Sequence, residues 1–263
     1  MEALYRNHMG SDLEVVQDAR ISFAASAAAV GARTVHIPGE HGPVSRQVPE
    51  LTERDVNLIG FLARGCRSGE WEEAVSAVRE GMSDEDAREL LHWARHLPPH
   101  WTPFAQQTIK LRMKAPVPIR THCYKHKVGF VENEESRRYI KSEPELFVPE
   151  FRSAPDGDIK QGSGGLHPRH AEWATVYRMV CERSLGTYKT MIEDGVCPEQ
   201  ARFVLPQGVH VNWVWTGSLY AYAHFYIQRC DPHAQKEVRD LAFKVGLIVG
   251  TLFPYSWAAL TRV

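Results

Sequence analysis

Residues 106–120, QQTIKLRMKAPVPIR, set apolar side chains at Ile109, Leu111 and Met113 against polar neighbours. A period of two marks a half-buried β-strand. Most of the surrounding chain has the other period. Residues 11–29 open on Ser11-Asp12 and continue as an apolar helical pattern, and residues 51–64 repeat Val56, Ile59 and Leu62 at helical spacing. Residues 70–97 divide into two short amphipathic helices, the second opened by Ser83 and Asp86 in a capping-box-like arrangement and closed by Pro98-Pro99. Residues 170–195, 216–229 and 233–252 also read as helices, while 31–50 and 153–168, rich in Gly and Pro, read as loops. Strand among many helices, with no repeat, predicts one α+β domain over residues 1–263.

Bulk properties narrow the function. The 263 residues suffice for a substantial core, and the formal net charge of −1 argues against a partner held by long-range electrostatics, such as long nucleic acid. Cys66, Cys123, Cys181, Cys197 and Cys230 are scattered, odd in number and without a CxxC pair, which points to a reducing compartment, the cytoplasm. The longest apolar run, Gly246 to Phe253, is too short to span a bilayer.

Several constellations could carry chemistry. The run 131–139, VENEESRRY, supplies carboxylates, a hydroxyl and two guanidinium groups, the donor and acceptor set that fixes a phosphorylated nucleotide. A solvated surface has the same composition, and composition alone favours it. Lys125-His126-Lys127 could neutralise a pyrophosphate or a reduced cofactor; an exposed basic turn is the plainer reading. His92, His96 and His100, and His122 with His126, recur at four-residue spacing, but without HExxH or an uninterrupted helix they make a poor metal site. Gly162-Ser163-Gly164-Gly165 matches neither phosphate-loop nor dinucleotide fingerprints and reads as a flexible loop. No GxSxG or Pro-Cys nucleophile occurs.

Taken in order, these segments resemble the flavin-dependent thymidylate synthase family. Residues 201–242, ARFVLPQGVHVNWVWTGSLYAYAHFYIQRCDPHAQKEVRDLA, are similar to its ARxVLP segment, aromatic-rich helix, Arg and HAQxEI. ENEESRRY at 132–139 resembles NExSxRY, HWTPF at 100–104 resembles HxTPF, and KAP comes next at 114–116. Met9–Asp12 and Ala19–Phe23 resemble the family's opening segment. The chain departs from the family at Lys125-His126-Lys127, where the signature has Arg-His-Arg, and by one extra residue before Ser136. Ser218 and Tyr220 replace Asn and Arg, and residues 66–98 look like an inserted helical pair.

The resemblance implies a twisted, largely antiparallel sheet flanked by helices, and a homotetramer with shared sites. It implies reductive methylation of dUMP to dTMP with FAD as hydride carrier, methylenetetrahydrofolate as one-carbon donor and NADPH as reductant. Glu134, Ser136, Arg138, Arg202 and Arg229 would hold dUMP, Arg138 on its phosphate, with Arg229 and Ser136 catalytic. Ser22, His100, Thr102, Lys125, His126, Lys127, His224 and His233 would line FAD; no metal is implied. The substituted signature keeps two other readings open, a flavin-dependent dUMP hydroxymethylase and a catalytically lapsed nucleotide- or flavin-binding homologue.

Overall fold

The structure, a computed structural model, describes residues 1–66, 68–97, 99–155 and 162–261. Six strands, β1 Glu2–Met9, β2 Gly31–Gly39, β3 Gly42–Glu50, β4 Thr108–Pro116, β5 Phe130–Glu134 and β6 His210–Ser218, form one sheet in the order β3-β2-β1-β4-β6-β5. The helices are α1 Asp12–Arg20, α2 Glu53–Arg64, α3 Ser68–Arg79, α4 Asp84–His96, α5 Thr102–Gln106, α6 Val117–Tyr124, α7 His170–Glu193, α8 Pro198–Ala201, α9 Leu219–Arg229, α10 Lys236–Leu252 and α11 Pro254–Thr261. This is an α+β fold, as the mixture of periods predicts. Among the described residues no helix is long and apolar enough to cross a membrane. The chain divides into two interleaved compact units: Met1–Arg6, Lys110–Thr216 and Phe225–Val245 make one, and Asn7–Ile109, Gly217–His224 and Gly246–Val263 the other.

In the first unit the strand reading holds for β4, whose Leu111, Met113 and Ala115 are fully buried, but it overshoots. Pro116 caps α6 and Pro118 stands in its first turn, where a fixed φ favours a helix start, so residues 117–124 are helix. The aromatic-rich stretch is likewise not all helix. Val211, Trp213 and Trp215 alternate with Asn212, Val214 and Thr216, and this period of two makes β6, with both tryptophans buried. Phe130 stacks on Trp215 at 4.1 Å and Phe225 meets it edge-on at 4.9 Å. Helix α7 buries Ala174, Cys181, Leu185 and Tyr188 on one side.

In the second unit the residues that read as a loop at 31–50 form an antiparallel hairpin registered from Gly31↔Glu50 to Gly39↔Gly42. Pro38, Gly39, Gly42 and Pro43 mark its tip rather than a coil, and Ile37 and Val48 supply the buried face. The helix expected over 11–29 stops at Arg20 and tightens into a 3₁₀ turn to Phe23, after which Ala24 is left-handed at φ 50°. Helices α2 and α4 start as the capping logic requires: the Thr52 hydroxyl accepts the Asp55 N–H, and the Ser83 hydroxyl accepts the Asp86 N–H. Helix α4 ends ahead of the expected proline stop, of which Pro98 lies outside the described residues.

Asp12 ties this unit's termini together. Fully buried in the first turn of α1, its carboxylate accepts the backbone N–H groups of Tyr255 at 3.0 Å and Ser256 at 2.9 Å, capping α11. Burial raises its pKa and the bonds from Ser256 and Tyr255 oppose that rise. Asp12→Ala leaves the N–H groups of the buried Ser256 and the half-buried Tyr255 without an acceptor and should cost about 2–4 kcal/mol. The check is a lower urea midpoint at unchanged slope; an unshifted midpoint would refute this role.

Candidate functional site

The second unit holds a cavity of about 730 Å³ walled by the end of α1, the turn Ser22–Ser26, one face of α2 and residues 100–103. It gathers Ser22 with His100 and Thr102, from two segments far apart in sequence that the motifs assign to one ligand. The turn is pinned by Arg20, which pairs with the buried Asp55 and donates to the Ser26 carbonyl at 2.9 Å. His100 donates its backbone N–H to the Leu62 carbonyl at 2.8 Å and stacks on Phe61 at 5.2 Å. Aromatic and aliphatic walls from Phe23, Leu58, Phe61 and Leu62, with Arg54 and Arg20 beside them, suit a planar ring that carries an anionic tail. His224 does not line this cavity; it ends a row of rings, Trp101 to Tyr220 at 6.0 Å and Tyr220 to His224 at 5.7 Å. Ser218, in place of Asn, caps the start of α9 by accepting the Ala221 N–H at 3.1 Å, a task both side chains can perform.

In the first unit, a pocket of about 370 Å³ gathers Glu134, Ser136 and Arg202 from the nucleotide-binding expectation. Arg138 does not line it, being paired with Glu199 at 3.2 Å, both side chains about half exposed at 52%. Two arginines that the motifs do not single out as ligands do line it, Arg120 from α6 and Arg137. The strand–helix boundary at Pro116 is the signal that sets Arg120 in the first turn of a helix.

Arg120 pairs with Glu134 at 3.0 Å and lies over the Tyr124 ring at 5.1 Å. Burial, and then Glu134, push the Tyr124 hydroxyl's pKa up, so it stays a neutral donor. Glu135 is fixed by Asn212, whose Nδ2 donates at 3.0 Å. Around this pocket Glu135 Oε1 and Arg137 Nε are buried without a hydrogen bond, whereas Arg120 Nε and Glu134 Oε2 are taken up by their own ion pair. Buried polar atoms are ordinarily satisfied, so donors and acceptors left over together mark a place where a polar ligand completes the network.

A third pocket, also in the first unit and about 500 Å³, is lined by His122, Arg152, Gly162, Ser163, Arg229, His233, Ala234 and Gln235. Arg229 Nε donates to His126 Nε2 at 2.9 Å, and His126 stands edge-on to Phe225 at 5.0 Å. Arg152 binds Glu237 at 2.6 Å and Ser163 at 2.7 Å, so the glycine-rich segment is anchored rather than loose; residues 156–161 of the expected loop lie outside the described residues. Gly164 is required there, since a Cβ would come within 2.9 Å of the Ala154 carbonyl oxygen. Lys125 closes α6, and Lys127 pairs with Glu132. Neither lines this pocket. Gly129, at φ 78°, turns the chain into β5. Among the described residues no group of three or more His, Cys, Asp or Glu could hold a metal ion; His96 of the histidine series lies outside the described side chains.

Residues 47–255 match the family model Thy1, thymidylate synthase complementing protein. The chain is 30% identical over 207 residues to the flavin-dependent thymidylate synthase of Thermus thermophilus, covering 76% of this chain and 75% of that protein. It is 28% identical over 240 residues to the flavin-dependent thymidylate synthase of Ruegeria pomeroyi, covering 86% and 77%. Its fold is similar to that of the UMP/dUMP methylase PolB from Streptomyces cacaoi bound with 5-Br dUMP, with a TM-score of 0.70 at 21% identity over 99% of this chain and 94% of that one.

His122 reports on the Arg229 pocket. Burial, and then the Arg229 charge, hold its pKa below the ordinary 6.5. A depressed pKa means that its contribution to stability is present above 6.5 and is lost as pH falls through the folded value. Arg229→Ala should move the His122 midpoint upward in an NMR titration while leaving it below 6.5, because burial is the larger cause. A midpoint that stays put would mean that the two groups do not face each other.

Proposed function

We propose that this chain, a member of the flavin-dependent thymidylate synthase (Thy1) family, replaces the C5 hydrogen of dUMP by a methyl group to give dTMP. The observation that carries this reading is the convergence of Glu134, Ser136 and Arg202 on one pocket with unsatisfied donors and acceptors. An imide edge flanked by carbonyls, with a phosphate at the far end of the molecule, presents the complementary set.

FAD is the cofactor that fits the cavity of the second unit, with Ser22, His100 and Thr102 as its polar contacts. When bound, it supplies hydride transfer and relays the one-carbon unit, with methylenetetrahydrofolate as donor and NADPH as reductant. The chain's own residues bind and polarise. Glu134, held by Arg120, accepts a donor from the pyrimidine or sugar. The Ser136 oxygen already accepts the Arg138 N–H at 3.3 Å, which leaves its proton for the substrate. Arg229, which lines the third pocket rather than the one that gathers Glu134, Ser136 and Arg202, is oriented by His126 and is the cation assigned here to stabilise negative charge on the pyrimidine as it forms. No protein thiolate is required: Cys123 is fully buried with its pKa pushed up to about 12, and burial also raises the pKa of Cys230, which follows Arg229.

We also propose self-association, as a homotetramer. Helix α7 exposes Trp173, Val176, Met179 and Val180 on the side away from its buried residues, an apolar stripe at helical spacing that a second copy would cover. The five cysteines, none of them in a disulfide, accord with work in the reducing cytoplasm.

Anaerobic incubation with dUMP, FAD, methylenetetrahydrofolate and NADPH, followed by mass spectrometry, should give a nucleotide heavier by one CH₂. A hydroxymethyl product would replace the proposal with the hydroxymethylase reading, and unchanged dUMP beside bound flavin with the lapsed one. Arg229→Ala should lose turnover by about 100-fold or more with an unchanged circular dichroism spectrum; normal turnover would remove Arg229 from the mechanism.

A further inference from the structure

Arg137 and Arg138 are neighbours in one tight turn, closed by the Ser136 carbonyl, which accepts the N–H groups of Tyr139 at 3.0 Å and Ile140 at 3.2 Å. The turn sends the two guanidinium groups apart. Arg138 faces outward to Glu199. Arg137 faces the nucleotide pocket with a side chain only 13% exposed.

The charge there does not balance. Arg120 is neutralised by Glu134. Arg137 reaches Glu135 Oε1 only at 3.9 Å, too far for a hydrogen bond, while Asn212 holds the other oxygen, Oε2. Arg137 donates one bond to the Ser142 carbonyl, while its Nε is buried with no partner. Arg202 adds a second guanidinium to the same wall. A largely buried guanidinium without a hydrogen-bonded anion is costly unless a ligand supplies one, and a planar fork of donors beside a second arginine suits a phosphate.

We propose that Arg137 binds the 5′-phosphate of the nucleotide in this chain, in the place that motif matching gives to Arg138. This rests on the reading of the pocket as a dUMP site. Calorimetric titration of the full flavin-loaded protein with dUMP and with deoxyuridine, which lacks only the phosphate, separates the possibilities. Arg137→Ala should weaken dUMP by about 10- to 100-fold and leave deoxyuridine within about twofold. Arg137→Lys, keeping the charge without the fork, should fall between. Arg138→Ala should shift the two ligands by equal factors. If Arg138→Ala instead erases the preference for dUMP, Arg137 is not the phosphate ligand although the pocket remains a dUMP site. If Arg137→Ala weakens both ligands alike and lysine restores nothing, the residue is structural and the proposal fails. If the unmodified protein binds neither ligand, the dUMP reading falls and this one with it.

Discussion

The dry face of β4 and the two tryptophans of β6 are the constraint on which the first unit depends. Leu111, Met113 and Ala115 on one strand, and Trp213 and Trp215 on its neighbour, leave almost no surface to solvent. Sliding either strand by one residue would expose this whole set, so the register is fixed. Fixed strands in turn fix the segments joined to their ends. Helix α6 begins at the end of β4 and carries Arg120; β5 runs beside β6 and delivers Glu134, with Ser136 and Arg137 in the turn beyond it. The pocket's polar groups are therefore held by elements whose positions are decided by apolar packing, which is how preorganised sites are built.

Electrostatics inside the pocket works by local pairing rather than by net charge. The chain is nearly neutral overall, yet Arg120, Arg137 and Arg202 share one wall with Glu134 and Glu135. Such an arrangement gives little long-range pull on polyanions and strong short-range selection for a small ligand with both an anionic end and a neutral polar edge. The buried Asp55 beside Arg20 in the second unit obeys the same rule, because a charge taken out of water needs an opposite charge in contact.

Much of this is legible in the sequence, and the failures have identifiable causes. Helix starts at Ser11, Thr52 and Ser83 are set by local side-chain chemistry, and the structure places hydroxyl caps at each. The hairpin at 31–50 reads as coil because Pro38 and Pro43 resemble loop residues, whereas they face each other at its tip, where fewer ladder bonds are needed. Tryptophans suit either a helix or a strand, so β6 stays hidden unless its alternation is weighed against its aromatic content. Ser22, His100 and Thr102 can be grouped by motif because their relation is one of order along the chain. Arg137 cannot, since a motif names a position in a line and the direction of two adjacent side chains in a turn is a three-dimensional property.

Helix α7 is apolar on two sides, one turned inward through Leu185 and Tyr188 and the other turned to solvent through Val176 and Met179. Covered by a second copy, as proposed, such a segment would tie the folding equilibrium to the amount of protein present. Contacts made on its outer side favour the folded chain by mass action and none exist at infinite dilution. In that assembly thermal midpoints would depend on protein concentration, and a surface substitution such as Met179→Lys would act as a change in effective concentration rather than as a change in the core.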